Sequence, residues 1–324
     1  MMPWRPIACN YFVTLRCDST CEYCEIWRKE DFKNIEEAPI ERIIRNLEDL
    51  KTLGVHYIDF TGGEPLLRHD LPQILKASKR LGFHNTITTS GALFKDRAFE
   101  IAPFLDTVLF SIDSPFADEH DRIRGTYSYE GAIEGIKTAK KHKKNAIINF
   151  TLTRDSILVL PDMVELAEKL NVLLWINPVY RYGGAEGFEK RSLGYIKRYQ
   201  GRKNVAFNMA SLDLIERGGN DVRRPACKAV NSVVTILPDD RLIFPCFYKQ
   251  DFSVKIDGKL RQLYRSGSIA EHKRKQGRFE ECRGCLAWPY MNPSFLYALN
   301  KRFFMAVMSL GYLLWKEHKI RKEN

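Results

Sequence analysis

Three thiols, Cys17, Cys21 and Cys24, share the run Cys17-Asp18-Ser19-Thr20-Cys21-Glu22-Tyr23-Cys24, directly after a hydrophobic stretch that reads as a first strand. Thiolates are soft ligands suited to iron and zinc, and the CxxxCxxC spacing gathers three on one compact loop. A 4Fe–4S cubane normally takes four thiolates. A loop offering three leaves one iron open to another ligand, and chemistry can occur there. A structural zinc site usually pairs CxxC knuckles and fills four positions, whereas no fourth Cys or suitably spaced His lies near this loop. The thiols sit in two tight groups and no secretory signal is present, which argues against a disulfide framework and for a reducing compartment. The cytoplasm is the expected location.

The second group is Cys227, Cys246, Cys282 and Cys285. Between the first two, Val233–Leu237, a Pro238-Asp239-Asp240 turn and Arg241–Cys246 read as a hairpin that brings its thiols towards the Cys282-Arg283-Gly284-Cys285 knuckle. Four ligands make a closed site, open to structural zinc as well as to a cluster. Cys9, within the first strand, reads as a buried core thiol.

From about residue 7 to 180, short β-rich runs alternate with helical patterns, the signature of βα units around a parallel sheet. Strands are expected at Ile7–Leu15, Val55–Phe60, Asn85–Thr89, Thr107–Ile112, Ala146–Leu152 and Leu173–Asn177. Helices are expected at Pro39–Leu53, Asp70–Leu81, Tyr129–His142 and Leu160–Leu170. The fold class is α/β: a partial (β/α)6 parallel barrel over residues 1–200, a small Cys-rich α+β extension over 201–290, and a terminal apolar helix over 291–324. The barrel pattern breaks from about residue 181, through Gly183-Gly184 and Gly218-Gly219. Ligands of such sheets gather at the carboxyl ends of the strands, where the first Cys loop lies.

At that same end the second strand runs into Thr61-Gly62-Gly63-Glu64-Pro65. Glycines there let backbone approach a ligand, and their carbonyls can accept bonds from an ammonium group; an ordinary glycine turn is the plainer reading of the pair alone. Ser111 and Asp113, two apart, share a face and need a polar partner if they face inward. Asn149, Thr151 and Asn177 either line the pocket or reflect strand propensity.

With Tyr23 before its last Cys, the loop reads CxxxCxφC, and with GGEP after the second strand the chain resembles the radical S-adenosylmethionine (SAM) enzymes over roughly residues 7 to 290. The resemblance implies a 4Fe–4S cluster on Cys17, Cys21 and Cys24, with SAM chelating the open iron. Electron transfer to SAM would yield a 5′-deoxyadenosyl radical that abstracts a substrate hydrogen. It further implies SAM contacts from Tyr23 against the adenine, from the Gly62-Gly63-Glu64 backbone, from Ser111 and Asp113 at the ribose or carboxylate, and from Arg124 in His120-Asp121-Arg122-Ile123-Arg124-Gly125 near the carboxylate. Ser90 in Thr88-Thr89-Ser90-Gly91 stands where the family often has Asn. The later Cys quartet is similar to the twitch form of the SPASM extension, which binds one auxiliary 4Fe–4S cluster; Asp240 replaces a usual turn Gly and tolerates a left-handed conformation. A donor such as flavodoxin or ferredoxin would supply electrons, and the activity would be that of an oxidoreductase or transferase.

Lys plus Arg number 51 against 40 Asp plus Glu, a net charge of +11, which permits nucleic acid, anionic membrane or acidic substrate as partner. The densest basic run, Lys140-Lys141-His142-Lys143-Lys144, falls at a helix end where cations oppose the dipole and carries no interleaved aromatics, so no nucleic-acid partner is expected. The uncharged run Phe303–Trp315 is too short to span a bilayer and apolar around its whole circumference, so water is not expected on any side. It suits a helix docked on protein, or one held at an anionic membrane by its apolar body and flanking cations. The tail leans towards a lipid or other membrane-associated apolar substrate and a peripheral location. Modification of ribosomal peptides is the alternative among enzymes, and an inactive zinc-binding scaffold the alternative outside them.

Overall fold

The computed structural model describes residues 5–179 and 190–323; Gly183-Gly184 lies outside them. Ten strands form one sheet: β1 (Ala8–Thr14), β2 (Tyr57–Gly62), β3 (His84–Thr89), β4 (Thr107–Ser111), β5 (Asn145–Leu152), β6 (Leu173–Pro178), β7 (Val205–Ala206), β8 (Val233–Ile236), β9 (Arg241–Phe244) and β10 (Phe252–Lys255). Their order is β10-β9-β8-β1-β2-β3-β4-β5-β6-β7. The run from β1 to β7 is parallel, β8 adds parallel to β1, and β8, β9 and β10 pair antiparallel. The fold is α/β and barrel-like, with the six expected strands in place.

Alternation along these strands separates two faces. Ile58, Phe60, Ile87, Val108, Phe110, Ile148 and Phe150 are wholly buried in the main core, packed with Ile43, Leu47 and Leu50 of the helix Ile40–Leu53 and Ile136 of the helix Tyr129–Lys141. Each such side chain contributes about 1.5–3 kcal/mol by leaving water. The opposite face carries Asp59, Thr88, Asn149 and Asn177, which bond to one another in pairs. The barrel is therefore greasy outside, where helices cover it, and polar within towards the carboxyl ends of its strands.

The sheet is wider than the six-stranded barrel read from sequence. All four residues of β8 are buried, so this strand needs cover on both faces, and the free edge of β1 supplies the missing hydrogen-bond partners. The expected hairpin thus continues the barrel sheet. At its turn Asp240 adopts φ +65, accepts from Asn46 Nδ2 at 2.7 Å and approaches Arg42 at 3.5 Å.

The last helix spans Lys301–Glu323. Ala306, Lys316 and Ile320 are buried, and Ile320 with Leu313 packs on Ile147, Leu173 and Trp175 of the barrel's inner face. Arg302 and Lys301 hold Asp213 at 2.8 and 3.1 Å. Only one side is covered, contrary to the expectation that no side meets water: Phe304, Met308, Leu314 and Trp315 are each more than half exposed. Among the described residues no helix is long and apolar enough to cross a membrane.

Candidate active site

The first Cys loop is strapped to the segment that follows β4. Thr20 N–H donates to Arg124 O at 2.9 Å and Glu22 N–H to Ile123 O at 3.0 Å, while Arg122 meets the Glu22 carboxylate at 2.5 Å. Gly125 closes the contact at φ +63, where a Cβ would stand 2.0 Å from Thr20 Oγ1. On the other side, Arg28 donates to Cys24 O and Glu22 O at 2.9 and 2.8 Å, and Trp27 Nε1 to Cys21 O at 3.1 Å. Cys21 is buried, Cys24 half-buried and Cys17 exposed. Burial pushes the Cys21 thiol up to about 11, against the opposing charge of Arg124.

Arg124, Asp113 and Tyr23 meet above the inner face. Arg124 Nη1 donates to Asp113 Oδ2 at 3.0 Å, and the Tyr23 hydroxyl donates to the same oxygen at 2.6 Å. Arg124 Nε is buried without a partner among the described residues. This ion pair is almost wholly desolvated, and breaking one partner of such a pair is strongly destabilising. His120 underlies it: its Nδ1 accepts the Asp113 N–H at 3.2 Å and its Nε2 lies 3.0 Å from Ser128 Oγ, which assigns the proton to Nε2. Burial first, then Arg124, pushes the imidazole down to about 4.

The Gly62-Gly63 turn lies against β1 so closely that a Cβ on Gly62 would stand 1.9 Å from Thr14 O, and one on Gly63 2.1 Å from Arg16 O. The N–H groups of Gly63 and Glu64 donate to Thr14 O and Arg16 O at 3.0 and 2.8 Å, leaving the Gly63 carbonyl without a partner among the described residues. The Glu64 side chain faces protein instead: it accepts from Leu66 N, Thr89 Oγ1 and Ser90 N at 3.0, 2.8 and 2.7 Å, tying the end of β2 to that of β3. Ser90 is buried, and its hydroxyl accepts the Ala92 N–H at 3.4 Å. Ser111, at the end of β4, pairs in register with Asn149. Asn177 donates to Asn149 at 2.7 Å and accepts from Trp175 at 2.8 Å. Cys17, Cys21, Cys24, Gly62, Gly63, Tyr23, Asp113 and Arg124 thus converge at one end of the barrel, whereas the side chains of Glu64 and Ser90 bond to neighbouring protein.

The second thiol group is held by a residue that sequence reasoning passed over. Asn220 accepts Ala226 N–H and Cys227 N–H at 3.0 and 3.2 Å, and donates to Gly277 O and Cys282 O at 2.8 and 3.1 Å. Its backbone exchanges bonds with Cys285 O and Gly284 N. Gly219, at φ +85, makes this approach feasible, since a Cβ would stand 2.2 Å from Gly284 O. Burial pushes Cys227 well above the usual thiol range, with the charges of Cys285, Cys246 and Cys282 adding to the effect. Two further residues were missed, His120 and Asp59. The second had a signal: Tyr57, Asp59 and Thr61 alternate with Ile58 and Phe60, placing an acid on the face away from the apolar side.

The donor chemistry suits iron–sulfur ligation at both groups, and the orphaned Arg124 Nε and free Gly63 carbonyl suit a ligand carrying both carboxylate and ammonium. Among the described residues no three Cys, His, Asp or Glu side chains close on a point suited to a single metal ion.

A barrel-like α/β fold, three thiols on the loop after its first strand and a glycine cradle after its second define a class, and the family model described as the radical SAM superfamily matches residues 11–173. The chain belongs to that superfamily, whose members carry a 4Fe–4S cluster and SAM. A Sulfolobus acidocaldarius protein described as a probable GTP 3′,8-cyclase is 27% identical over 268 residues, covering 80% of this chain and 82% of that protein. One from Methanopyrus kandleri, with the same description, is 32% identical over 157 residues, 47% of this chain and 50% of that one. Among solved structures, Streptococcus suis SuiB bound to S-adenosylmethionine aligns with a TM-score of 0.65 at 18% identity, covering 83% of this chain and 65% of that one. The structure described as native anSMEcpe with bound AdoMet aligns with a TM-score of 0.63 at 13% identity, covering 98% and 100%. These last two are likenesses of fold.

Proposed function

We propose that this chain is a radical SAM enzyme that abstracts hydrogen from a lipid or another membrane-associated apolar molecule, working at an anionic bilayer surface. In this reading Cys17, Cys21 and Cys24 hold the cluster, and the Gly62-Gly63 carbonyls, Ser111 and the Arg124–Asp113–Tyr23 group hold SAM. Residues 201–290, with Cys227, Cys246, Cys282 and Cys285, hold an auxiliary 4Fe–4S cluster. When bound, the open-site cluster and SAM supply one-electron cleavage of a sulfonium and hydrogen-atom abstraction. The protein orients SAM through Arg124, keeps Asp113 fixed through His120, and limits water with the last helix packed on the inner face. A donor such as flavodoxin or ferredoxin completes the reaction.

One observation carries the substrate class: the last helix is docked by one side and leaves Phe304, Val307, Met308, Leu314 and Trp315 to solvent, with exposed Lys319, Arg321 and Lys322 beyond them. An apolar face bordered by cations fits the boundary between anionic headgroups and acyl chains. The named activity of the curated relatives supports GTP as a competing substrate, and describes a ring closure rather than the oxidoreductase or transferase class read from sequence. SuiB, solved bound to its precursor peptide SuiA, supports a peptide.

The test is anaerobic reconstitution with iron and sulfide, followed by SAM and dithionite. Formation of 5′-deoxyadenosine is expected, and zinc without iron and no such product would overturn the radical reading. Flotation with phosphatidylglycerol vesicles tests the surface: binding should be lost in Met308→Glu/Trp315→Glu. Equal flotation of both proteins, or a concentration-dependent dimer that the double variant dissolves, overturns the membrane arm alone.

A further inference from the structure

The barrel lumen contains an acid with no assigned task. Asp59, midway along β2, faces inward, and its two oxygens lie 3.1 and 3.3 Å from the Thr88 hydroxyl. It pairs in register with Asn10 on one side and Thr86 on the other. Two residues further along the same strand and face is Thr61, beside the glycine cradle, about 7 Å away at the rise of a strand. Asp59 therefore lies on the inner wall just below the end where SAM is proposed to sit, where a substrate group that extends into the lumen would meet it.

Asp59 has no cationic partner among the described residues. Among those residues no ion pair reaches it, and the inner positions around it, Asn10, Thr86, Thr88, Ser111, Asn149 and Asn177, are all uncharged. Other buried acids have more partners: Asp113 has Arg124, Asp213 has Arg302 and Lys301, Asp240 has Asn46 and Arg42, and Glu64, also without a cation, accepts three hydrogen bonds from Leu66, Thr89 and Ser90. Among the described residues Thr88 alone bonds to Asp59, and burial pushes its carboxyl up to about 7. A lone carboxylate withdrawn from bulk water is costly, yet the residue is not sealed in, since part of its surface opens into the lumen. The missing counter-charge can be supplied by what enters.

We propose that Asp59 is a substrate-recognition residue that receives a protonated amine or guanidinium group of the substrate within the barrel and disfavours polyphosphates. The inference rests on the radical SAM reading of the same site and narrows its substrate. An entering ammonium would form a charge-assisted hydrogen bond with the carboxylate, whereas a triphosphate placed beside it would meet like charge with no cation on the neighbouring strands to offset it. GTP bound by its phosphates in this lumen is therefore the wrong charge type. Two sources present the favoured group, a lysine or arginine side chain of a peptide and the headgroup of an aminolipid.

The experiment is calorimetric titration of the cluster-loaded enzyme in the presence of SAM, with agmatine, N-acetyl-lysine amide, glycerophosphoethanolamine, succinate and GTP as separate probes. Agmatine should bind, succinate and GTP should not, and Asp59→Asn, an isosteric change, should weaken agmatine roughly tenfold or more. Thr88→Val, which leaves the carboxylate in place, should retain agmatine binding. Binding of N-acetyl-lysine amide identifies the peptide source and binding of glycerophosphoethanolamine the lipid source; either supports the assignment. Failure of every amine to bind, unchanged agmatine affinity in Asp59→Asn, or GTP binding that Asp59→Asn leaves unaltered would overturn it. The wild-type protein's formation of 5′-deoxyadenosine is scored separately, so a failed recognition role is distinguishable from a failed radical reading.

Discussion

The two thiol groups are built on opposite plans. Cys17, Cys21 and Cys24 stand on a loop at the barrel end, pinned by backbone bonds to the segment after β4, with an orphaned guanidinium nitrogen and a bare glycine carbonyl beside them. Of the second group, Cys227, Cys282 and Cys285 lie on segments gathered by Asn220 and are buried, Cys246 follows β9 and is half-buried, and all four expected ligand positions are protein. An unfinished polar environment suits a site that must take and release a ligand. A finished one suits electron relay or support of the surrounding fold.

The contrast can be broken most directly at the ligands. Cys24→Ala should empty the first site alone, lowering iron from about eight to about four per chain and reducing 5′-deoxyadenosine to background, as iron analysis and product chromatography would read; loss of all iron would mean the two sites assemble as one. Asn220→Ala should act on the second site, removing four side-chain hydrogen bonds at a cost of at least ~3 kcal/mol. Its melting temperature and iron content should both fall, with three-thiol iron retained in whatever remains folded.

Smaller effects sharpen the comparison within the first site. Arg124→Lys keeps the charge but loses the fork of donors, and should weaken SAM binding about tenfold in equilibrium dialysis while iron content holds. Least is expected of His120→Gln. Because burial holds the His120 imidazole down near 4, the folded state favours its neutral form, and the stability it contributes above pH 6.5 is lost as pH falls from 6.5 towards 4. The variant should flatten the fall of melting temperature over that window; an unchanged slope would show that His120 does not govern it.

Much of the core was legible from sequence because its signals are local. The alternation of Ile58 and Phe60 with Tyr57 and Asp59 marks a strand, Pro39 and Gly54 bracket a helix whose apolar residues recur at helical spacing, and the Cys spacings announce themselves. The expected strands agree with the observed ones to within two residues at each end. What escaped depends on how the chain turns back on itself, over seven or eight residues at His120 and over as many as 62 at Asn220. Asn220 matters only because Cys227, Gly277 and Cys282 come to it, and His120 only because Asp113 turns back over it. Glu64 adds something the motif did not announce: its backbone belongs to the expected cradle, while its side chain ties the end of β2 to that of β3. The exposed face of the last helix was hidden for a similar reason, since composition reveals apolar residues but not which of them the barrel covers.

The parallel pairing of β8 with β1 also sets an order in time. Ala8 meets Val233, so the strand that leads into the open Cys loop keeps an unpaired edge until the distant segment has been synthesised, roughly ten to forty-five seconds later at ordinary translation rates. During that interval the three thiols of the loop already exist while the edge beside them is bare, and the nascent chain carries a sheet template able to capture a second copy. Pairing of that edge with another chain is then the competitor that β8 must outrun.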